Sequence, residues 1–153
     1  MLEIFTPMNK IERVSRVVDP DNFVAAPGIW GYIDTDGSIK NQVTDTPKVL
    51  NKLVITSKSS NIYESHDVEV GRITSMESFG VRVQVDSEGY DGTINQGDKL
   101  VVSTADGSEG KLVSTAETSE TGDYEVVARA EEVNTTDGWI IFRTLSPVVE
   151  TLS

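Results

Sequence analysis

The chain has 153 residues, 37% of them hydrophobic, with no cysteine and one histidine, and 25 acids against 13 Lys and Arg give a formal net charge of −12. That length supports one domain with a core of its own, while the missing thiols and the lone imidazole exclude disulfides, thiolate zinc sites and histidine clusters. The acidic excess argues against a nucleic-acid partner, because affinity for phosphate comes chiefly from Lys and Arg releasing counterions.

No run approaches 18 apolar residues, so no membrane partner is expected. The first 18 residues carry Lys10, Arg13 and Arg16 against Glu3 and Glu12, a net of +1. They lack the uninterrupted apolar stretch of a secretory signal, and the chain is expected to fold in the cytoplasm where it is made. Within the same segment Ile4, Met8, Ile11, Val14 and Val18 recur at spacings of three and four, with Thr6-Pro7 as cap and first helical residue. The reading is a short amphipathic helix or an extended arm over residues 1–22. It packs on its own core or docks on a partner, and the opposite charge of the acidic body raises the second alternative. As a docking arm it would use Ile4, Phe5, Met8 and Ile11 to fill grooves, with Arg13 and Arg16 pairing with acids.

Residues 23–153 read as a β-rich body. Prolines stand at 7, 20, 27 and 47 and then not until Pro147, so the proline-free stretch is the expected folded unit. Trp30 lies in Ala25-Ala26-Pro27-Gly28-Ile29-Trp30-Gly31-Tyr32, where small residues flank a large ring. Trp30 and Tyr32 are candidates for an inter-subunit contact, against burial within the subunit. Asp34-Thr35-Asp36-Gly37 looks like a calcium loop, but with Gly37 at the sixth position Tyr32 and Val43 fall where carboxylates are needed. A hairpin turn between Trp30–Ile33 and Ser38–Lys40 is the expectation. Asp19-Pro20-Asp21-Asn22 fails in the same way, with Val24 where glycine should stand.

Further strands are expected at Leu50–Thr56, Val68–Thr74, Phe79–Val85, Lys99–Thr104, Lys111–Thr115, Tyr124–Glu131 and Trp139–Thr144, separated by clusters of Gly, Asp and Ser that reverse the chain. Phe79, Val81, Val83 and Val85 alternate with Arg82 and Gln84, the period of a half-buried strand. Strands so spaced mean a small antiparallel barrel or sandwich. His66 beside Asp67 has no nucleophile elbow near any serine, and adjacent side chains on a strand face opposite ways, so no hydrolase triad is expected. Acid pairs such as Glu131-Glu132 are common by chance in so acidic a chain. No enzyme activity, metal or cofactor is expected, and Asn134-Thr135-Thr136 is an accidental sequon without a signal peptide.

Acid concentrates in residues 86–153, fourteen carboxylates against four bases. The same half runs Gly97-Asp98-Lys99-Leu100-Val101-Val102, Gly110-Lys111-Leu112-Val113, Gly122-Asp123-Tyr124-Glu125-Val126-Val127-Ala128-Arg129-Ala130 and Gly138-Trp139-Ile140-Ile141-Phe142-Arg143. This order, over roughly residues 92–145, resembles the small β-barrel of tailed-bacteriophage head decoration, or cement, proteins. Arg129 stands where that family often has glycine. The resemblance implies a structural virion protein on the capsid exterior, binding the major capsid protein as a homo-oligomer, with a trimer favoured. The rival expectations are a tail or fibre component, and a carbohydrate-binding sandwich with Trp30 or Tyr90 as its platform.

Overall fold

The computed structural model describes residues 2–7, 10–19, 21–24, 26, 28–42, 51–55 and 72–153. Among the described residues eleven strands run in chain order: β1 Leu2–Ile4, β2 Arg13–Val17, β3 Trp30–Ile33, β4 Ile39–Lys40, β5 Asn51–Ile55, β6 Arg72–Met76, β7 Arg82–Asp86, β8 Lys99–Val102, β9 Leu112–Ser114, β10 Gly122–Asn134 and β11 Trp139–Leu152. They form two antiparallel sheets, one of six strands in the order β1-β7-β11-β10-β8-β9 and one of five in the order β2-β6-β5-β3-β4.

The sheets face each other across one apolar layer. Leu2, Val83, Val85, Leu100, Phe142 and Ile140 enter it from the six-stranded sheet, and Trp30, Leu53 and Met76 from the other. The Trp30 and Phe142 rings meet across it with centroids 6.3 Å apart and planes tilted by 47°. Period-two alternation explains the register: in β7, Val83 and Val85 are fully buried while Arg82, Gln84 and Asp86 are half-exposed. The strands divide into two separate sheets and form no single closed ring, so the body is a sandwich, and the closed-barrel alternative, including the barrel expected over 92–145, is corrected; in the five-stranded sheet Val18, just past β2, bridges Ile39 of β4. Strands β8 to β11 share one open sheet because β7 pairs with β11 and extends it.

The helical reading of the N-terminus is also corrected. Leu2 and Ile4 pair with Val85 and Val83, and β2 pairs with β6 from Arg13↔Met76 to Val17↔Arg72. The segment expected as a separate arm over 1–22 thus supplies an edge strand to each sheet. A spacing of three and four was present, but cross-strand pairing and burial of Leu2 beside Ile4 outweigh so short a helix, which is marginal without tertiary contacts. No α-helix occurs among the described residues.

Two strands outrun their expected ends. β10 and β11 pair from Asn134↔Trp139 to Gly122↔Leu152, with register shifts between Val126 and Ala128 and between Ala130 and Glu132. Ala128 faces Thr144 and Val126 faces Val148, so Leu145 to Pro147 bulge opposite Val127. The proline, which has no N–H to donate, is accommodated at that irregularity. His66 and Asp67, with most of the expected strand Val68–Thr74, lie outside the described residues.

Candidate functional site

The Asp34–Ser38 turn closes the β3–β4 hairpin, with Asp34 N–H donating to the Ser38 carbonyl at 2.9 Å. Lys40 Nζ occupies the space among the carboxylates: it pairs with Asp34 and lies 3.4 Å from Asp36 and 3.7 Å from Asp19. The two sequence segments that looked calcium-like thus converge on one ammonium. Its hydrogen bond to Asp34 holds that carboxyl below the usual range and raises the lysine pKa, and Ser38 does the same for Asp36. Among the described residues no group of His, Asp or Glu could hold a metal ion.

The residues expected to dock divide sharply. Ile4 and Ile11 sit in the inter-sheet core, so neither presents a side chain to a partner. Arg16 is held by Glu77 through three hydrogen bonds of 2.7 to 3.0 Å, and Lys52 lies 3.6 Å from the same carboxylate. Arg13 contributes its backbone to β2, and Met8 lies outside the described residues. Phe5 is exposed, with the Arg82 guanidinium over its ring at 5.3 Å. Trp30 and Tyr32, candidates for an inter-subunit contact against burial within the subunit, are both buried within it. That burial also removes Trp30 as a sugar-stacking platform, and Tyr90 is half-buried against the core.

The exposed apolar residues mark a different surface. Phe5 N–H donates to the Arg82 carbonyl at 2.9 Å and Gly80 N–H to the Thr144 carbonyl at 2.7 Å, which aligns the end of β1, the start of β7 and the middle of β11. Phe5 and Phe79, exposed by 42 and 54%, therefore lie toward one end of the six-stranded sheet; Val148 and Val149, exposed by 63 and 61%, follow on β11 past Thr144 and face opposite sides of the strand, and Val17 and Val24 are exposed as well. Beside Phe5, Arg82 shares Glu131 with Arg143, with N···O distances of 3.0 and 2.9 Å, and Arg82 reaches Glu132 at 3.4 Å. Past Thr144 the described part of β11 has a partner strand, β10, on one side only. The sequence pattern placed Phe79 on the buried face of an alternating strand; it precedes β7 and turns outward. Val148 and Val149 lay beyond the expected last strand.

A narrow crevice opens between the sheets at this end, lined by Trp30 and Asn51 with Lys52, Glu77, Phe79 and Pro147 among others. Among the described residues two polar side-chain atoms of this lining are buried without a hydrogen-bond partner, Trp30 Nε1 and Asn51 Oδ1. Leaving such a group unpaired costs about 1–3 kcal/mol. The chain matches no protein-family model, curated protein or solved structure. The site is accordingly read from its own residues: it offers apolar side chains, paired charges and two unpaired polar atoms, and among the described residues no arranged nucleophile and base.

Proposed function

We propose that this chain is a structural virion protein that binds the outer surface of a phage capsid and bridges neighbouring major capsid protein subunits. The observation that carries the reading is the order of the C-terminal half. Gly97, Gly110, Gly122 and Gly138, the glycines that open the four segments resembling head decoration proteins, stand within two residues of the starts of β8, β9, β10 and β11. Those four strands are contiguous in one sheet. The acidic composition supports an outward face in water, where high charge keeps a densely displayed protein from self-association.

Phe5, Phe79, Val148 and Val149 form the docking end in this reading. Exposed aromatic and β-branched side chains suit the apolar centre of an interface, and Arg82 and Arg143 suit its rim. The chain acts as a homo-oligomer, a trimer being the favoured state, so that one unit reaches several capsid subunits.

The test is sedimentation of capsid shells lacking this chain after mixing with the purified protein. Co-sedimentation in a fixed integral ratio to the major capsid protein, weakened at least tenfold by Phe79→Asp with the fold intact, is expected. A chain left in the supernatant overturns the reading. A few copies per particle would move the assignment to a tail or fibre component.

A further inference from the structure

Trp30 and Asn51 are diagonal neighbours on the core-facing side of the five-stranded sheet. Trp30 pairs with Leu53, and Asn51 lies two residues along the same strand, opposite Tyr32. Diagonal pairs stand about 7–8 Å apart at the backbone, within reach of an indole and an amide. Both residues are more than nine-tenths buried, at 3 and 6% exposure, and both line the crevice between the sheets.

The orientation of the Asn51 amide is settled by its other partner. Glu125 Oε2 accepts from the Asn51 backbone N–H at 3.0 Å and from Nδ2 at 3.4 Å. A carboxylate accepts from nitrogen and not from an amide oxygen, so Oδ1 is the atom left over. Among the described residues these two members of the crevice lining thus hold one unsatisfied buried donor, the Trp30 indole N–H, and one unsatisfied buried acceptor, Asn51 Oδ1.

The chemistry of the missing partner follows. It must accept one hydrogen bond and donate another. It must be neutral, because Lys52 and Glu77, the charged residues of the lining, already face each other at 3.6 Å. It must be small, because the crevice holds about 20 Å³, the space of a single oxygen with its hydrogens. We propose that this crevice is a binding site for one hydroxyl oxygen, which accepts from Trp30 Nε1–H and donates to Asn51 Oδ1. Solvent water and the hydroxyl of an alcohol, sugar or partner serine share that chemistry. The inference does not depend on the capsid reading.

Nuclear magnetic resonance on the ¹⁵N-labelled full chain tests it, with the Trp139 indole as internal control. A cross-peak between the Trp30 indole proton and a long-lived water is expected, or a saturable shift of that proton on titration with methanol. A water cross-peak indifferent to methanol assigns the site to water, and a saturable methanol shift opens it to larger hydroxyl ligands. Either signal should vanish in Asn51→Leu while Trp139 keeps its native shift. Should that variant not fold, high-resolution diffraction from the unmodified chain decides: one oxygen peak within about 3 Å of both atoms is expected. A Trp30 indole proton with neither signal, or a crevice without such a peak, overturns the proposal.

Discussion

The Trp30 backbone N–H donates to the carbonyl of Gly110 at 2.8 Å, joining the five-stranded sheet at β3 to the turn that leads into β9 of the other. Gly110 has φ +82°, and a Cβ there would lie 2.7 Å from the Trp30 carbonyl oxygen and 2.9 Å from Ile29. Backbone blocks relief on one side, and the left-handed conformation penalises any side chain. Gly110→Ala is expected to cost roughly 1–3 kcal/mol, or more where the sheets must part. Urea unfolding should show the lower midpoint. An unchanged midpoint would mean that the turn relaxes freely.

Phe142 is fully buried between the sheets against Trp30. Its truncation to alanine removes a large ring from a layer that both sheets share. The expected loss is about 3–5 kcal/mol, with a changed Trp30 emission in the folded state. A loss below about 1 kcal/mol would show that the core collapses around the gap.

The Glu131 carboxylate accepts from Arg143 at 2.9 Å and from Arg82 at 3.0 Å, which holds its pKa below the usual range. Hydrogen bonds from Asn22, Lys40, Ser38 and Ser108 depress Asp19, Asp34, Asp36 and Asp91 in the same direction. Where a carboxyl is more acidic in the folded chain, the unfolded chain binds more protons, so its contribution is complete above the ordinary pKa of about 4 and is lost as pH falls through the folded value. Tm is therefore expected to drop below about pH 4, and Glu131→Gln to flatten part of that slope. Thermal circular dichroism from pH 7 to 2.5 measures both; a variant with the full wild-type slope would assign the acid loss to other groups.

Lys40 neutralises a cluster that contains Asp19, Asp34 and Asp36. Lys40→Ala leaves those carboxylates facing one another, and their repulsion is screened by salt. The variant should melt lower than the wild type in dilute buffer and recover part of the difference in 0.5 M NaCl. Equal melting temperatures in dilute buffer would show that the turn stands without its cation.

Much of the β body was legible because its signals are local. The hairpin at Asp34–Gly37, the alternation of Val81, Val83 and Val85, and the turns before β8, β9 and β11 depend on residues a few positions apart, and each lies where the pattern put it. The N-terminus misled for the same reason. Ile4 and Ile11 fit a helical spacing locally, yet their burial is decided by β7 and by the inter-sheet core, far along the chain. Phe79 was placed on the inner face by alternation that ceases one residue before Val81.

Of the expected docking residues, Phe5 is exposed, Ile4 and Ile11 are buried and Arg16 is half-buried. Arg16 could not be read as occupied, because its partner Glu77 is 61 residues away. Trp30 stands out in the sequence as a large ring among small residues, but its unpaired indole nitrogen is visible only beside Asn51, on another strand.

By itself the sequence determined the class of the molecule: an acidic, cysteine-free β protein with turns at defined glycines and aspartates, since composition and period-two patterning act through neighbours in the chain. Only the tertiary structure decided that the strands form two separate sheets, that the first residues edge both of them, and that Lys40 settles among carboxylates. It also decided which apolar residues remain outside. Those outcomes depend on which distant segments exclude water from one another, and alternation along a strand reports its faces without naming its neighbours.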